Sequence, residues 1–225
     1  MHKRPKVSKL FAMAINRWIK ASPLNYNILI VAAVSDDESE QVCKDFDISY
    51  IYTENKSVSH KWNVAMTEAM NLTWDYVMIT GDDDLYSDEF WNHIESRINS
   101  KVDYFGLRSI YFYEPQTKEA CKFKYPFDKM IGCGRFMSRE LVTTCLPLWD
   151  DGINNGLDKS SEDNILSHGF ERDFIDTSYP LAVDIKTNVN IWSLNSYAGH
   201  SKAAYFHEIK FIAPEERDYI NNYLS

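Results

Sequence analysis

Apolar residues recur along the chain with two different periods. Within residues 5–21, Leu10, Ala14, Ile15 and Trp18 repeat near helical spacing. Pro5 suits a first helical turn and Ser22-Pro23 ends the run, so this segment is predicted to be a helix. Residues 27–34, apolar throughout after Asn27, form a run short enough for a buried strand. Ser35 is placed to cap a helix over 36–46, with Glu38 in the capping-box position. A strand over 48–52, a polar loop over 54–59 and a helix over 60–72 come next. Residues 76–80 are again apolar or β-favouring, and another helix starts near Ser87. This alternation has βαβ spacing and predicts an α/β fold with a largely parallel sheet.

The second half is less regular. Strands are predicted over 103–107, 109–114 and 120–125, with a turn over 114–118. Gly132-Cys133-Gly134 is a glycine turn, and Ser138 caps a helix over 139–145. A polar loop over 149–159 leads to a helix over 161–168 capped by Ser160. A strand over 181–187, an irregular aromatic stretch over 188–207 and a helix over 214–223 complete the chain. The length suits one domain over 1–225, with 101–225 lying against the C-terminal edge of the sheet formed by 1–100.

The most informative chemistry follows the strand over 76–80. Gly81 breaks it, and Asp82, Asp83 and Asp84 come at once. Three like charges at the end of a buried strand repel one another unless they are solvated or neutralised by a cation. Hard oxygen ligands suit Mg²⁺ or Mn²⁺, which typically also takes substrate phosphates. The C-terminal end of a parallel strand is also where open α/β sheets bind ligands. An acidic strand-to-helix turn with a good N-cap has the same sequence.

Composition narrows the choice of partner. The formal net charge of −9 opposes nucleic-acid binding across the whole surface, though a local basic patch can still bind. Residues 111–135 interleave aromatics with Lys118, Lys122, Lys124, Lys129 and Arg135, a mixture that stacks on sugars or bases. Strands with one packed face have the same composition. No run of 18 apolar residues marks a transmembrane helix, and no signal-peptide core follows the basic N-terminus. Four scattered cysteines without a CxxC pair fit reduced thiols in a cytoplasmic protein.

Several motifs occur in the order found in one family. They are Arg4-Pro5 before the first helix, Asn55 with Lys61-Trp62-Asn63, and Gly81-Asp82-Asp83-Asp84-Leu85. Gly132-Cys-Gly134 with Ser138-Arg139, the acidic Gly156-Leu-Asp158 and Glu162-Asp163, and a late His200 or His207 follow. In these the chain resembles GT-A-fold glycosyltransferases, particularly small family-2-like bacterial and phage enzymes. The resemblance implies a Rossmann-like GT-A fold, a mostly parallel central sheet flanked by helices, with an irregular acceptor-side C-terminal half. It implies metal-dependent transfer from a nucleotide sugar, a UDP-sugar, using Mn²⁺ or Mg²⁺. The acceptor is a glycan or lipid-linked sugar, or a modified DNA base if the gene is from a phage. By the same resemblance Asp84 is a metal ligand, Asp82 a ligand or ribose contact, and His200 a third ligand. Asn55, Lys61, Asn63, Asp83 and Lys202 fall on the nucleotide-sugar side. Asp163 is the first choice of general base and Asp158 the second; Glu162 and Asp163 could equally complement a helix dipole.

One departure concerns the first strand, which in the family precedes the Arg-Pro turn. Here only Met1-His2-Lys3 lie before it. Two alternatives remain. Nucleotidyltransferases also use clustered Asp and Mg²⁺, but usually carry a glycine-rich phosphate loop near the N-terminus, which this chain lacks. The other is a non-catalytic carbohydrate-binding protein with a degenerate transferase fold.

Overall fold

A computed structural model describes residues 1–23, 26–125, 129–187 and 201–225. The first helix, α1 (Pro5–Lys20), carries two buried rows of side chains. Val7, Leu10 and Ala14 meet one apolar cluster with Leu85 and Val183, while Phe11, Ile15 and Trp18 meet another with Tyr86 and Phe90. Trp18 stacks on Trp91 at 4.1 Å, and both indole N–H groups donate to backbone carbonyls. These rings therefore contribute apolar area without leaving a buried donor unpaired.

β1 (Val31–Val34), α2 (Asp37–Asp45) and β2 (Ser49–Tyr52) form a parallel βαβ unit. The cap of α2 is Asp36, whose carboxylate accepts from the Ser39 N–H at 2.9 Å, and not Ser35 as the sequence predicts. A carboxylate both accepts that bond and favours the helix dipole. Ser35 is thereby released to face the end of β1. Ser57 caps α3 (Val58–Ala69), which begins two residues before the predicted start.

β3 (Tyr76–Ile79) leads through the acidic turn into β4 (Asp84–Tyr86) and α4 (Phe90–Asn99). β5 (Tyr104–Leu107), β6 (Ser109–Glu114) and β7 (Glu119–Lys124) match the predicted strands. β8 (Arg135–Ser138) runs into α5 (Arg139–Cys145), capped by Ser138 as predicted. The helix α6 (Leu157–Ser167) starts four residues before the predicted position. Gly156, left-handed at φ 73°, opens it without a side-chain cap, and Ser160 lies inside the helix, accepting from the Asp150 N–H. β9 (Asp173–Ile175), β10 (Ala182–Ile185), β11 (Ser201–Ala204) and α7 (Pro214–Tyr223) follow.

The described strands pair as a two-stranded sheet β1-β2, a five-stranded sheet β11-β7-β6-β10-β4 and a four-stranded sheet β3-β8-β5-β9. The α/β class holds. Parallel pairing joins β1 to β2, β6 to β10 and β5 to β9; the other described pairs are antiparallel. The short turn after Glu114 makes β6 and β7 a hairpin, which can only be antiparallel. Among the described residues no helix is long and apolar enough to cross a membrane. All four cysteines are free and buried.

Candidate functional site

The site is built where β4 pairs with β10. The two run antiparallel with Asp84 directly opposite Asp184, and the Ile185 N–H donates to the Asp83 carbonyl at 2.8 Å. This register draws Asp83, Asp84 and Asp184 together, with one oxygen from each within 4.8 Å of the others. Like charges directly across a strand pair are destabilising, so the arrangement needs support. Gly81 provides some of it. Its N–H donates to Asp84 Oδ2 at 2.6 Å, and a Cβ there would stand 2.9 Å from that oxygen and closer still to Asp83. Lys186 Nζ donates to Asp184 Oδ2 at 2.6 Å. The other oxygen, Asp184 Oδ1, is buried and has no hydrogen-bond partner among the described residues.

The titration of these groups reflects the crowding. Burial, then Asp83 and Asp184, push the Asp84 carboxyl well above its ordinary value. Burial likewise raises Asp184 to about 6, with Asp83 adding to it and Lys186 opposing it. A set of hard carboxylate oxygens, mutually repelling and with one oxygen orphaned, has the chemistry that a divalent Mg²⁺ or Mn²⁺ takes.

Asp82 points elsewhere. Its Oδ2 accepts from Ser8 Oγ at 2.5 Å and its Oδ1 from Arg4, while the same guanidinium donates to Asp83 Oδ2 at 2.8 Å. Burial would raise the Asp82 carboxyl, but the Met1 ammonium and Arg4 outweigh it and hold it below its ordinary value. With both oxygens engaged, Asp82 does not join the cluster; Asp184 stands there in its stead. Sequence reasoning offers Lys186, at the end of its strand, as a support of the site, and misses Asp184. The available signal was one charged residue within the otherwise apolar Ala182-Val-Asp-Ile185.

A second group gathers at the C-terminal ends of the parallel strands β1 and β2. Lys61, only 7% exposed, donates to Ser35 Oγ at 2.6 Å. Burial lowers its pKa, with Asp36 and Asp82 acting against that. His2 contacts Ser35 through Nδ1 at 2.9 Å and Asn55 through Nε2 at 3.0 Å. Lys61 and Asn55 are thus linked through Ser35 and His2, and Asn63 is not part of this group. Two residues along α3 is about 200° of rotation. Asn63 accordingly faces away and brackets the Trp149 backbone, donating to its carbonyl at 2.8 Å and accepting from its N–H at 3.3 Å.

The two acids proposed as bases lie on different sides of α6. Asp163 is 58% exposed, ion-paired with Lys159, and lines an open cleft of about 990 Å³ shared with His60 and Asp150. Asp158 faces inward. Its Oδ2 accepts from Tyr125 Oη at 3.3 Å, and its carboxylate abuts Gly132, where a Cβ would stand 2.8 Å from its Cγ. The adjacent Cys133 thiol is pushed well above its ordinary pKa by burial first and then by Asp84, its hydrogen-bond partner. Asp158 therefore lies on the side of the acidic cluster, and Asp163 does not.

Lys202 sits exposed on β11, across from Lys122, at the opposite edge of the sheet from β4. Four strand spacings, roughly 19 Å, separate those edges, so the structure does not bring Lys202 to the cluster. His200 lies outside the described residues.

No family model matches the chain, and no curated protein does. Solved structures do match. A fragment of S. aureus TarS is 12% identical, with a TM-score of 0.56 over 79% of this chain and 57% of that one. A CMP:2-keto-3-deoxy-manno-octonic acid synthetase complexed with CTP is 12% identical, with a TM-score of 0.49 over 83% and 85%. The inositol-1-phosphate CTP transferase from T. maritima is 12% identical, with a TM-score of 0.46 over 96% and 84%. At these identities the likeness is one of fold, and the TarS match carries it: the chain has a mixed α/β, Rossmann-like architecture.

Proposed function

We propose that the protein is a metal-dependent glycosyltransferase that moves a sugar from a nucleotide donor, a UDP-sugar, to a hydroxyl acceptor. The observation that carries this reading is the cluster of Asp83, Asp84 and Asp184 with its orphaned buried oxygen. These residues would hold Mn²⁺ or Mg²⁺, which supplies positive charge to the departing diphosphate. Lys61, Asn55 and Ser35, at the strand ends, bind the nucleotide. In an inverting transfer Asp158 takes the proton from the acceptor hydroxyl as its oxygen bonds to the anomeric carbon. The sugar–phosphate bond breaks and its electron pair leaves with the diphosphate.

Support for glycosyl over nucleotidyl transfer comes from the turn after β1. It reads Ser35-Asp36-Asp37, with no glycine or basic residue to cradle a triphosphate. A glycan or lipid-linked acceptor is favoured over DNA because three of the five basic residues within 111–135 are engaged or buried. Lys124 pairs with Asp176, Lys122 donates to the Ser178 carbonyl, and Arg135 is buried. Free, buried thiols support a reducing, cytoplasmic setting.

The test is thermal stabilisation by a panel of UDP-, GDP-, dTDP- and CMP-sugars and CTP, each with Mn²⁺ or EDTA. A saturating ligand at 100 times its Kd adds about 2.7 kcal/mol, or roughly 5–10 °C for a chain of this size. That shift is expected for a UDP-sugar with Mn²⁺ and not with EDTA. Stabilisation by CTP alone, or by no nucleotide sugar, overturns the proposal.

The cluster also fixes a pH dependence. Both Asp84 and Asp184 have folded pKa values raised above the ordinary carboxylate value, so ionising them costs stability. Metal-free protein should gain stability as pH falls through about 6. Metal binding needs the ionised forms and should weaken over the same window. For one group near 6, the ionised fraction drops roughly tenfold between pH 7 and 5, so Mn²⁺ affinity should drop at least that much. Calorimetric titration of Mn²⁺ at the two pH values checks this; equal affinities would remove the cluster as the metal site.

A further inference from the structure

Arg135 lies beside the proposed base, donating to the Asp158 carbonyl, and its bonding is unusual for a buried cation. The side chain is 3% exposed, and every nitrogen is engaged. Nε donates to the Ile131 carbonyl at 2.8 Å, and Nη2 to the Met130 carbonyl at 2.9 Å. Nη1 donates to Tyr104 Oη at 3.0 Å, the Asp158 carbonyl at 3.0 Å and Ser161 Oγ at 3.2 Å. Among the described residues, no carboxylate lies within ion-pair distance of it. Burial opposes its charge, while Tyr104, Asp158 and Glu162 favour it and hold its pKa above the ordinary value.

Burying a guanidinium without a directly paired carboxylate is costly, and neutral side chains could tie a loop to a helix more cheaply. A planar fork does one thing they do not. It fixes two separate backbone segments at set angles to one another. One segment is the turn of residues 130–132, which places Gly132 and Cys133. The other is the first turn of α6, whose Gly156 cap provides no side-chain anchor. Between them sits the Asp158 carboxylate, in space that exists only because residue 132 has no Cβ.

We infer that Arg135 is a positioning residue: its fork fastens the first turn of α6 to the 130–132 turn, and with Gly132 it sets the Asp158 carboxylate on the side of the acidic cluster. The inference rests on the proposed role of Asp158 and extends it to two residues that touch neither donor nor acceptor. Gly132 is not at positive φ, so alanine suits the backbone there, and the clash falls on the flexible end of Asp158. Gly132→Ala therefore displaces the carboxylate and leaves the fold intact, whereas Arg135→Met tests the clamp with some risk to folding. Arg135→Lys retains charge and loses the fork.

The experiment has two readouts. In ligand-free protein, Arg135→Lys should speed amide exchange in residues 157–162 and 130–134 by about tenfold or more, with β5 and β8 unchanged. With UDP-glucose, Mn²⁺ and water as acceptor, UDP release is measured for Gly132→Ala, Arg135→Lys and Asp158→Asn. The expected result is a fall in kcat for all three, with KM and the Kd for Mn²⁺–UDP unchanged. Unaltered exchange in Arg135→Lys overturns the inference. So does exchange rising equally across the core, which would make Arg135 merely structural. A Gly132→Ala enzyme as active as wild type beside an impaired Asp158→Asn overturns it and leaves the base assignment standing. An unimpaired Asp158→Asn overturns the base assignment itself, and this inference with it.

Discussion

Replacing Asp184 by Asn is expected to abolish the gain in UDP affinity that Mn²⁺ confers on the wild-type protein. Asn has nearly the same shape but offers a neutral carbonyl, so the cluster falls from three anionic ligands to two. Loss of even an outer-shell partner typically costs a metal site 10–100-fold, so a direct ligand should cost at least about 100-fold. Asp84→Asn should behave alike. Asp84→Asn should melt higher than wild type without metal, because it removes a charge that repels its neighbours, whereas in Asp184→Asn that gain is offset by the lost ion pair with Lys186. Asp82→Asn should do the opposite. It keeps the Mn²⁺ dependence, since Asp82 is bonded to Arg4 and Ser8, but it weakens a largely buried ion pair. Breaking such a pair costs about 3 kcal/mol at the low end of its range, and Asp83 still holds Arg4. Titrating UDP with and without Mn²⁺, beside melting curves, separates the cases. A retained Mn²⁺ effect in Asp184→Asn, or its loss in Asp82→Asn, would restore Asp82 as the ligand.

These contrasts show where the sequence was readable. Helical and strand periods are local, so α1, the β1-α2-β2 unit, β5 to β7 and α7 were legible with small shifts at their ends. Four strands, β4, β8, β9 and β11, were not, and for the first two the physical reason is plain. β4 opens on the ligand-like Asp84 and holds three residues, too few for a period to show. β8 hides behind the glycine turn and is completed only by partners β3 and β5, far along the chain. The site divides in the same way. Asp83 and Asp84 are adjacent and announce themselves. Asp184 lies a hundred residues from Asp84, and strand register alone brings it opposite. Arg4 is the converse case. Read as part of a motif, it turns out to occupy two carboxylates that spacing alone could assign to a metal.

The choice between Asp158 and Asp163 turns on helix phase, which the sequence could not fix because it places the start of α6 four residues too late. With the start at Leu157, Asp158 falls in the first turn, facing Gly132 and Tyr125, and Asp163 lies about 140° further round. A base must come within hydrogen-bond reach of the proton it abstracts, and geometry outranks other considerations. Asp163 looks onto solvent and is tied to Lys159, one turn back on the same exposed face. Asp158→Asn is therefore expected to cut turnover by roughly 10²–10⁴-fold, the range for loss of a general base. UDP–Mn²⁺ affinity should stay within about twofold, because the substitution leaves Asp83, Asp84 and Asp184 in place. Asp163→Asn should leave both quantities unchanged. Single-turnover rates and metal-dependent UDP titrations on the two variants decide between them. If Asp163→Asn shows the deep loss and Asp158→Asn does not, the acceptor enters from the cleft between α6 and α3, on the far side of the helix from the cluster, and Asp158 would be a packing residue of the glycine turn.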